Sequence, residues 1–215
     1  MKIQSSPTMR RMPTYLHRVF QLQSEGAEWV SCAELAAYME IPHIVVRKDI
    51  AMTGLAGNRR RGFRTAELID AILAFVGWDQ PVQATLVGAG SLGSALLGYR
   101  DFQSYNFNIS SVFDSNPEKV GKTIHGLVVR DIATMAEVLA PAPPKVAIIC
   151  VPDSVAQRVA DQLVSLNIRY LWNFANVCLE VPQGIIVQRE VIAGGLAVLS
   201  AKIKKCEAGE PIPED

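Results

Sequence analysis

Gly88, Gly90 and Gly93 stand in G-x-G-x-x-G spacing within Ala84-Thr-Leu-Val-Gly-Ala-Gly-Ser-Leu-Gly-Ser-Ala-Leu-Leu97. An apolar strand runs into the first glycine and an apolar helix leaves the third. In that setting the first glycine allows a tight turn, the second lets backbone approach a pyrophosphate, and the third lets the helix pack on the sheet. Ala89, Ser91 and Leu92 complete the loop. Phosphates there would meet unpaired N–H groups and the positive end of a helix dipole. A second apolar strand, Asn108 to Phe113, ends in Asp114, 21 residues after Gly93. An acid at that place accepts hydrogen bonds from an adenosine ribose and repels a 2′-phosphate, which predicts NAD and NADH as the ligands.

A second cluster is basic. The chain has no net charge, yet Arg47, Lys48, Arg59, Arg60, Arg61 and Arg64 face only Asp49 over 18 residues. Such a local excess suits a polyanion, and Asp49 reads as a structural ion-pair partner. Groups for catalysis are scarce. The three histidines are His17, His43 and His125, and no His or Lys lies between Val151 and Ser200. Hydride transfer to an alcohol or acid normally needs a general acid or base of tuned pKa. Val151, Pro152, Asn173 and Phe174 are expected to line the pyridine end of the pocket as a binding surface, with no catalytic residue and no metal. Cys32, Cys150, Cys178 and Cys206 form neither a C-x-x-C pair nor a zinc pattern and are expected to be buried, reduced thiols.

The elements that must hold these residues fall into two parts. In residues 1–80, Pro13 to Leu22 predicts a first helix. Ser31-Cys-Ala-Glu34 is a capping box opening a second, and His43 to Met52 a third after the turn at Glu40-Ile-Pro42. That is the helix-turn-helix plan. Gly54, Gly57 and Gly62 bracket Asn58-Arg-Arg-Arg61 as a β-hairpin wing, and Thr65 is a candidate N-cap for a helix over 66–76. On this winged helix Arg47 and Lys48 would reach base edges or phosphates of double-stranded operator DNA, with the wing arginines on the flanking backbone or minor groove.

Residues 81–215 alternate apolar strands near 84–88, 108–113, 146–151, 169–172 and 185–188 with helices near 92–99, 131–139, 153–165 and 191–205. This predicts an α/β fold in which the winged-helix domain precedes a Rossmann-like parallel sheet. The last helix is apolar nearly all round, so it should be buried against the sheet or a second subunit. The 49% apolar composition suits a packed globular protein, and the absence of a signal core or a spanning run predicts a cytoplasmic protein that does not enter a membrane.

Over nearly its full length the chain resembles the Rex redox-sensing transcriptional repressors. The matching stretches are Arg11-Met-Pro-Thr-Tyr15, Val30-Ser-Cys-Ala-Glu-Leu-Ala36, Val46-Arg-Lys-Asp-Ile50 and Val87 through Tyr99. Further on they are Phe113-Asp114 with Pro117-Glu-Lys-Val-Gly121, Val151-Pro152 with Ala156-Gln157, and Asn173-Phe-Ala175 with Val181-Pro182. The resemblance implies a homodimer that exchanges the C-terminal helix, and repression of fermentative genes released when NADH displaces NAD⁺. It adds Lys119 to the cofactor site, and Arg11, Tyr15 and Ser31 to the DNA site. Three positions depart from the family's switch or retain it. His17 stands where the family has Arg, Val191 where it has Asp, and only Tyr99 is kept. Ile192 replaces an aromatic residue, and Met52-Thr53 an aromatic pair. These departures predict weakened redox coupling. Alternative readings are an NAD-dependent oxidoreductase with an appended DNA-binding-like module, a regulator sensing coenzyme A, and an architectural DNA-binding protein with a vestigial ligand site. A carboxylate at 114 would repel the 3′-phosphate of coenzyme A.

Overall fold

The computed structural model describes residues 6–209, and these divide between Gln80 and Pro81 into two compact units. The first contains α1 (Ser6–Ser24), β1 (Trp29–Val30), α2 (Cys32–Met39), α3 (His43–Ala51), β2 (Phe63–Arg64) and α4 (Thr65–Val76). Helix α1 starts well before Pro13, which lies inside it. Met12, Tyr15, Leu16 and Val19 form its buried face, so packing carries the helix through a proline that reads as a start signal. The capping box at α2 forms in both directions. Ser31 Oγ accepts the Glu34 N–H at 3.1 Å, and Glu34 Oε2 accepts the Ser31 N–H at 2.7 Å.

The wing is shorter than a hairpin. Asn58 and Gly62 make one antiparallel bridge, and β2 then pairs with β1, Trp29 opposite Arg64 and Val30 opposite Phe63. Thr65 is the first residue of α4 and not its cap. Its hydroxyl donates instead to the Ala27 carbonyl at 2.9 Å, tying the helix to the loop before β1.

The second unit contains β3 (Val82–Val87), α5 (Ser91–Leu97), α6 (Asp101–Ser104), β4 (Phe107–Asp114), β5 (Thr123–Ile124), β6 (Leu127–Asp131), α7 (Met135–Leu139), β7 (Val146–Ile149), α8 (Asp153–Ser165), β8 (Tyr170–Asn173), β9 (Ile186–Arg189) and α9 (Ala193–Glu207). The sheet order is β5-β6-β4-β3-β7-β8-β9, parallel except for β5. Starting from β3, the chain winds outward through β4 and β6, then returns to β7, β8 and β9 on the other side. The strand order therefore reverses between β3 and β7, where ligands bind in doubly wound folds. Strand alternation splits the core in two: Val87, Phe113 and Ile149 join one apolar cluster, and Leu86, Val112 and Ile148 the other. The short β5 and β6 pair is absent from the sequence reading, since Lys122 to Asp131 is largely polar and alternates over too few residues.

Two expectations need correction. Helix α9 is not buried against the sheet: Leu196, Val198, Leu199 and Ile203 are all about half exposed or more, and none of its residues is buried. Cys178 and Cys206 are exposed, and Cys32 and Cys150 half-buried, with all four thiols free. Among the described residues no helix is long and apolar enough to cross a membrane.

Candidate functional site

The glycine loop lies at the strand-order reversal. Gly88 has φ +102°, and a Cβ on it would press into the Cys150 carbonyl at the end of β7. A Cβ on Gly93 would run into the carbonyl of Gly88, so this glycine holds α5 against its own loop. Gly90 differs from both. Nothing lies within 4 Å of where its Cβ would be, and it borders a cleft of about 820 Å³. That volume is within the range of small-ligand sites. An open approach to bare backbone is what a pyrophosphate needs, so the loop fits a dinucleotide. No side chain caps the start of α5.

Gly88, Ser91, Leu92, Asp114, Lys119, Val151 and Pro152 all reach the same cleft. Asp114 ends β4 and is nearly buried. Its Oδ2 accepts the Ala89 N–H at 2.8 Å and the Lys119 ammonium at 3.1 Å, while Oδ1 accepts the Asn116 N–H at 2.8 Å. Burial alone would raise its pKa, but the Asn116 N–H, Lys119 and the Ala89 N–H outweigh that and hold it below the ordinary value. The carboxylate is thus charged and keeps free acceptor capacity on Oδ1. It also fixes the loop through Ala89, a role the spacing does not reveal. Ala89 and Gly93 are buried supports.

Asn173 is a correction. It is fully buried and does not border the cleft: its amide donates to the Val177 carbonyl at 3.0 Å and accepts the Ala175 N–H at 3.0 Å. It holds its own loop. Phe174 likewise lies elsewhere, in an aromatic hollow of about 420 Å³ with Tyr99, Phe102, Trp172, Val191 and Ile192. Phe102 packs edge-on to Tyr99 at 4.8 Å and to Trp172 at 6.0 Å, and Trp172 Nε1 donates to Glu190 at 3.2 Å. Two of the three switch positions, Tyr99 and Val191, therefore share one hollow. Burial, then the Asp101 carboxylate, raise the Tyr99 hydroxyl above its ordinary pKa. His17 belongs to the other unit, exposed on α1 and hydrogen-bonded to Gln21 at 3.0 Å.

Cys150 and Lys119 both border the cleft. Burial raises the Cys150 thiol to about 12, and Lys119 is paired with Asp114. Among the described residues no group of three or more His, Cys, Asp or Glu could hold a metal ion.

In the first unit Arg47 and Lys48 are exposed on α3, and Arg59, Arg60 and Arg61 are exposed on the turn. A groove between α3, the start of α2 and the turn is lined by Ser31, His43, Arg47, Arg59 and Arg60. Arg11 and Tyr15 are corrections. Tyr15 is fully buried and donates to Asp49 at 2.8 Å; Arg11 grips the same carboxylate through Nε at 2.6 Å and Nη2 at 2.9 Å. With Thr8 Oγ1 also donating at 2.8 Å, Asp49 locks α3 onto α1. These side chains support α3 from behind.

Two family models match parts of the chain. Residues 5–51 match a family described as putative DNA-binding protein N-terminus, and residues 79–177 one described as CoA binding domain. The redox-sensing transcriptional repressor Rex of Treponema denticola is 38% identical over 198 residues, spanning 92% of this chain and 94% of that one. Two crystal structures of RSP superpose along the chain. The complex with NAD⁺ and operator DNA has TM-score 0.83 and 29% identity, covering 97% of this chain and 96% of that one. The complex with NADH has TM-score 0.81 and 28% identity, covering 97% of this chain and 98% of that one. With this sequence identity along almost its whole length, the chain belongs to the Rex family of redox-sensing transcriptional repressors.

Proposed function

We propose that this chain is a homodimeric DNA-binding repressor that senses the NADH/NAD⁺ ratio. The observation that carries the reading is Gly90 open to a large cleft beside the charged Asp114, in a chain whose other unit exposes arginines on α3 and its wing turn. The glycine loop would take the pyrophosphate and Asp114 Oδ1 an adenosine ribose hydroxyl. Ser31, Arg47, Lys48 and Arg59 to Arg61 would meet DNA. Residues 1–80 act as the DNA-binding domain and 81–215 as the dinucleotide-binding and dimerisation domain. The uncovered apolar residues of α9 suit a partner subunit.

For NADH to release DNA it must bind one arrangement of the dimer more tightly than the other, since equal affinity shifts nothing. The family resemblance implies a charged pair at the positions of His17 and Val191, whose absence would make that difference smaller here and weaken the redox response. The cleft works as a sensor and not as a catalytic site, because its thiol is held protonated and its ammonium is engaged by Asp114.

The match to a CoA binding domain favours a second reading, coenzyme A as ligand. The charged Asp114 opposes it through the 3′-phosphate. The test is to titrate the purified protein with NADH, NAD⁺, NADPH and coenzyme A while measuring retention of duplexes selected from a random pool, at one fixed salt concentration. NADH should bind and loosen DNA more than NAD⁺ does. Tighter binding of coenzyme A, or no response to either dinucleotide, overturns the reading.

A further inference from the structure

The wing arginines do not all project freely. Trp29 lies directly opposite Arg64 in the β1 and β2 pair, and the Arg64 guanidinium carbon is 5.0 Å from the centre of its ring. The Arg61 guanidinium carbon is 5.6 Å from the same centre. A cation within about 6 Å of an indole face is attracted by the ring quadrupole, and tryptophan is the strongest such platform. The turn holds Arg61 from its backbone as well. Asn58 Oδ1 accepts the N–H groups of Arg60 and Arg61 at 2.9 and 3.1 Å, and the Gly62 N–H returns to the Asn58 carbonyl at 2.9 Å. A Cβ on Gly62 would strike the Val30 carbonyl, so the turn lies tightly against β1. The other hold on Arg64 is a loose ion pair, Nε to Glu67 Oε1 at 3.9 Å, with both side chains more than half exposed.

An indole differs from a carboxylate in one respect that matters here: it fixes a guanidinium without cancelling its charge. We propose that Trp29 is a positioning residue for the DNA backbone, stacking Arg61 and Arg64 so that both are presented, ordered and still cationic, to phosphates. The proposal rests on the DNA-binding reading above. A guanidinium ordered only on binding loses side-chain entropy at that moment; one already held over a ring has lost it beforehand. The sign of the effect separates this role from its opposite. If the arginines bind from the platform, removing the ring weakens binding. If they must leave it to reach DNA, removing the ring tightens binding.

The experiment uses the full chain and a fluorescent random-sequence duplex, with affinity measured across a salt series. Replacing both arginines (Arg61→Gln with Arg64→Gln) should flatten the slope of log affinity against log salt by about two, for two lost phosphate contacts. Trp29→Leu should leave that slope unchanged and weaken binding about five- to tenfold at every salt. Trp29→Phe should recover most of the loss, which a merely structural role for the indole would not require. NMR relaxation of the arginine Nε–H groups reads the platform without DNA: two rigid signals in the wild type should become mobile in Trp29→Leu and stay rigid in Trp29→Phe. Unchanged or tighter binding by Trp29→Leu overturns the role, as does equal arginine mobility in wild type and Trp29→Leu. Failure of the wild type to bind any duplex would instead overturn the DNA-binding reading, and this role with it.

Discussion

Asp49→Ala gives the sharpest test of how α3 is held. The wild-type carboxylate is about 3% exposed and accepts four hydrogen bonds, from Thr8, Tyr15 and two nitrogens of Arg11. Removing it strands the fully buried Tyr15 hydroxyl and leaves a largely covered guanidinium without its counter-charge. Breaking a buried ion pair from one side costs about 3–5 kcal/mol. For a unit of this size each kcal/mol moves the melting point by about 4–8 °C, so the first unit should melt roughly 12–40 °C lower. Asp49→Asn keeps the shape and one acceptor but turns an NH₂ toward other donors, and should lose about half as much. Replacing both partners with apolar residues, Asp49→Leu with Arg11→Met, should recover much of the loss. Calorimetry of the full chain reads this directly, with the second unit's transition as the internal control.

The pH dependence follows from the same contacts. Burial alone would raise the Asp49 pKa, but the hydrogen bonds from Arg11, Thr8 and Tyr15 hold it below the ordinary 3.8. A depressed folded-state pKa means the stabilisation is present above that ordinary value and lost as pH falls through the lower one. The wild type should therefore lose its advantage over Asp49→Asn only in strong acid. A cost below about 1 kcal/mol for Asp49→Ala, or an advantage already gone at mild acidity, would refute the argument.

Four further outcomes are expected. Asp114→Ala should weaken NADH binding and narrow the gap to NADPH, checked by calorimetric titration; equal wild-type affinity for the two would remove the role of Asp114. Gly90→Val should abolish dinucleotide binding with little change in melting point, because its Cβ meets open space, whereas Gly93→Ala should lower the melting point by its collision with the Gly88 carbonyl. Arg47→Ala should cost about 1–3 kcal/mol at one base position of a selected site and leave NADH titrations unchanged. The pair His17→Arg with Val191→Asp should strengthen NADH-driven release of DNA, and an unchanged response would place the coupling in other residues.

The second unit was the more legible part of the sequence, and the reason is periodicity. Its buried strands are continuous apolar runs whose neighbours alternate between two core clusters, and the glycine spacing has a mechanical meaning that needs no tertiary knowledge. Elements without such a run were missed, as with β5 and β6, or misplaced, as with the start of α1 before Pro13. Side-chain roles were harder than elements. The family resemblance puts Arg11 and Tyr15 among the DNA contacts, yet their partner Asp49, 38 and 34 residues away, turns both inward. Asn173, expected at the pyridine end of the pocket from its place along the chain, spends its amide on Val177 and Ala175. Polar type is visible in a sequence; the direction in which it points is a tertiary property.

Asp49 and Asp114 show what that direction does to a charge count. Along the sequence Asp49 offsets one of the six basic residues between Arg47 and Arg64. In the fold its carboxylate faces α1 and is neutralised by Arg11, so it offsets neither Arg47 nor Lys48 on its own helix. Glu67 stands at the outer limit of an ion pair with Arg64. The basic surface is thus stronger than its composition indicates, and the same contact that removes the negative charge also anchors the helix carrying the positive ones. Asp114 works in the same way in the second unit. It engages Lys119 and, through Ala89, steadies the glycine loop. In both places one buried carboxylate gathers several donors, side chains of α1 at Asp49 and the Ala89 and Asn116 N–H groups with Lys119 at Asp114. Losing either should therefore impair geometry and electrostatics together, and the melting and binding measurements above separate the two contributions.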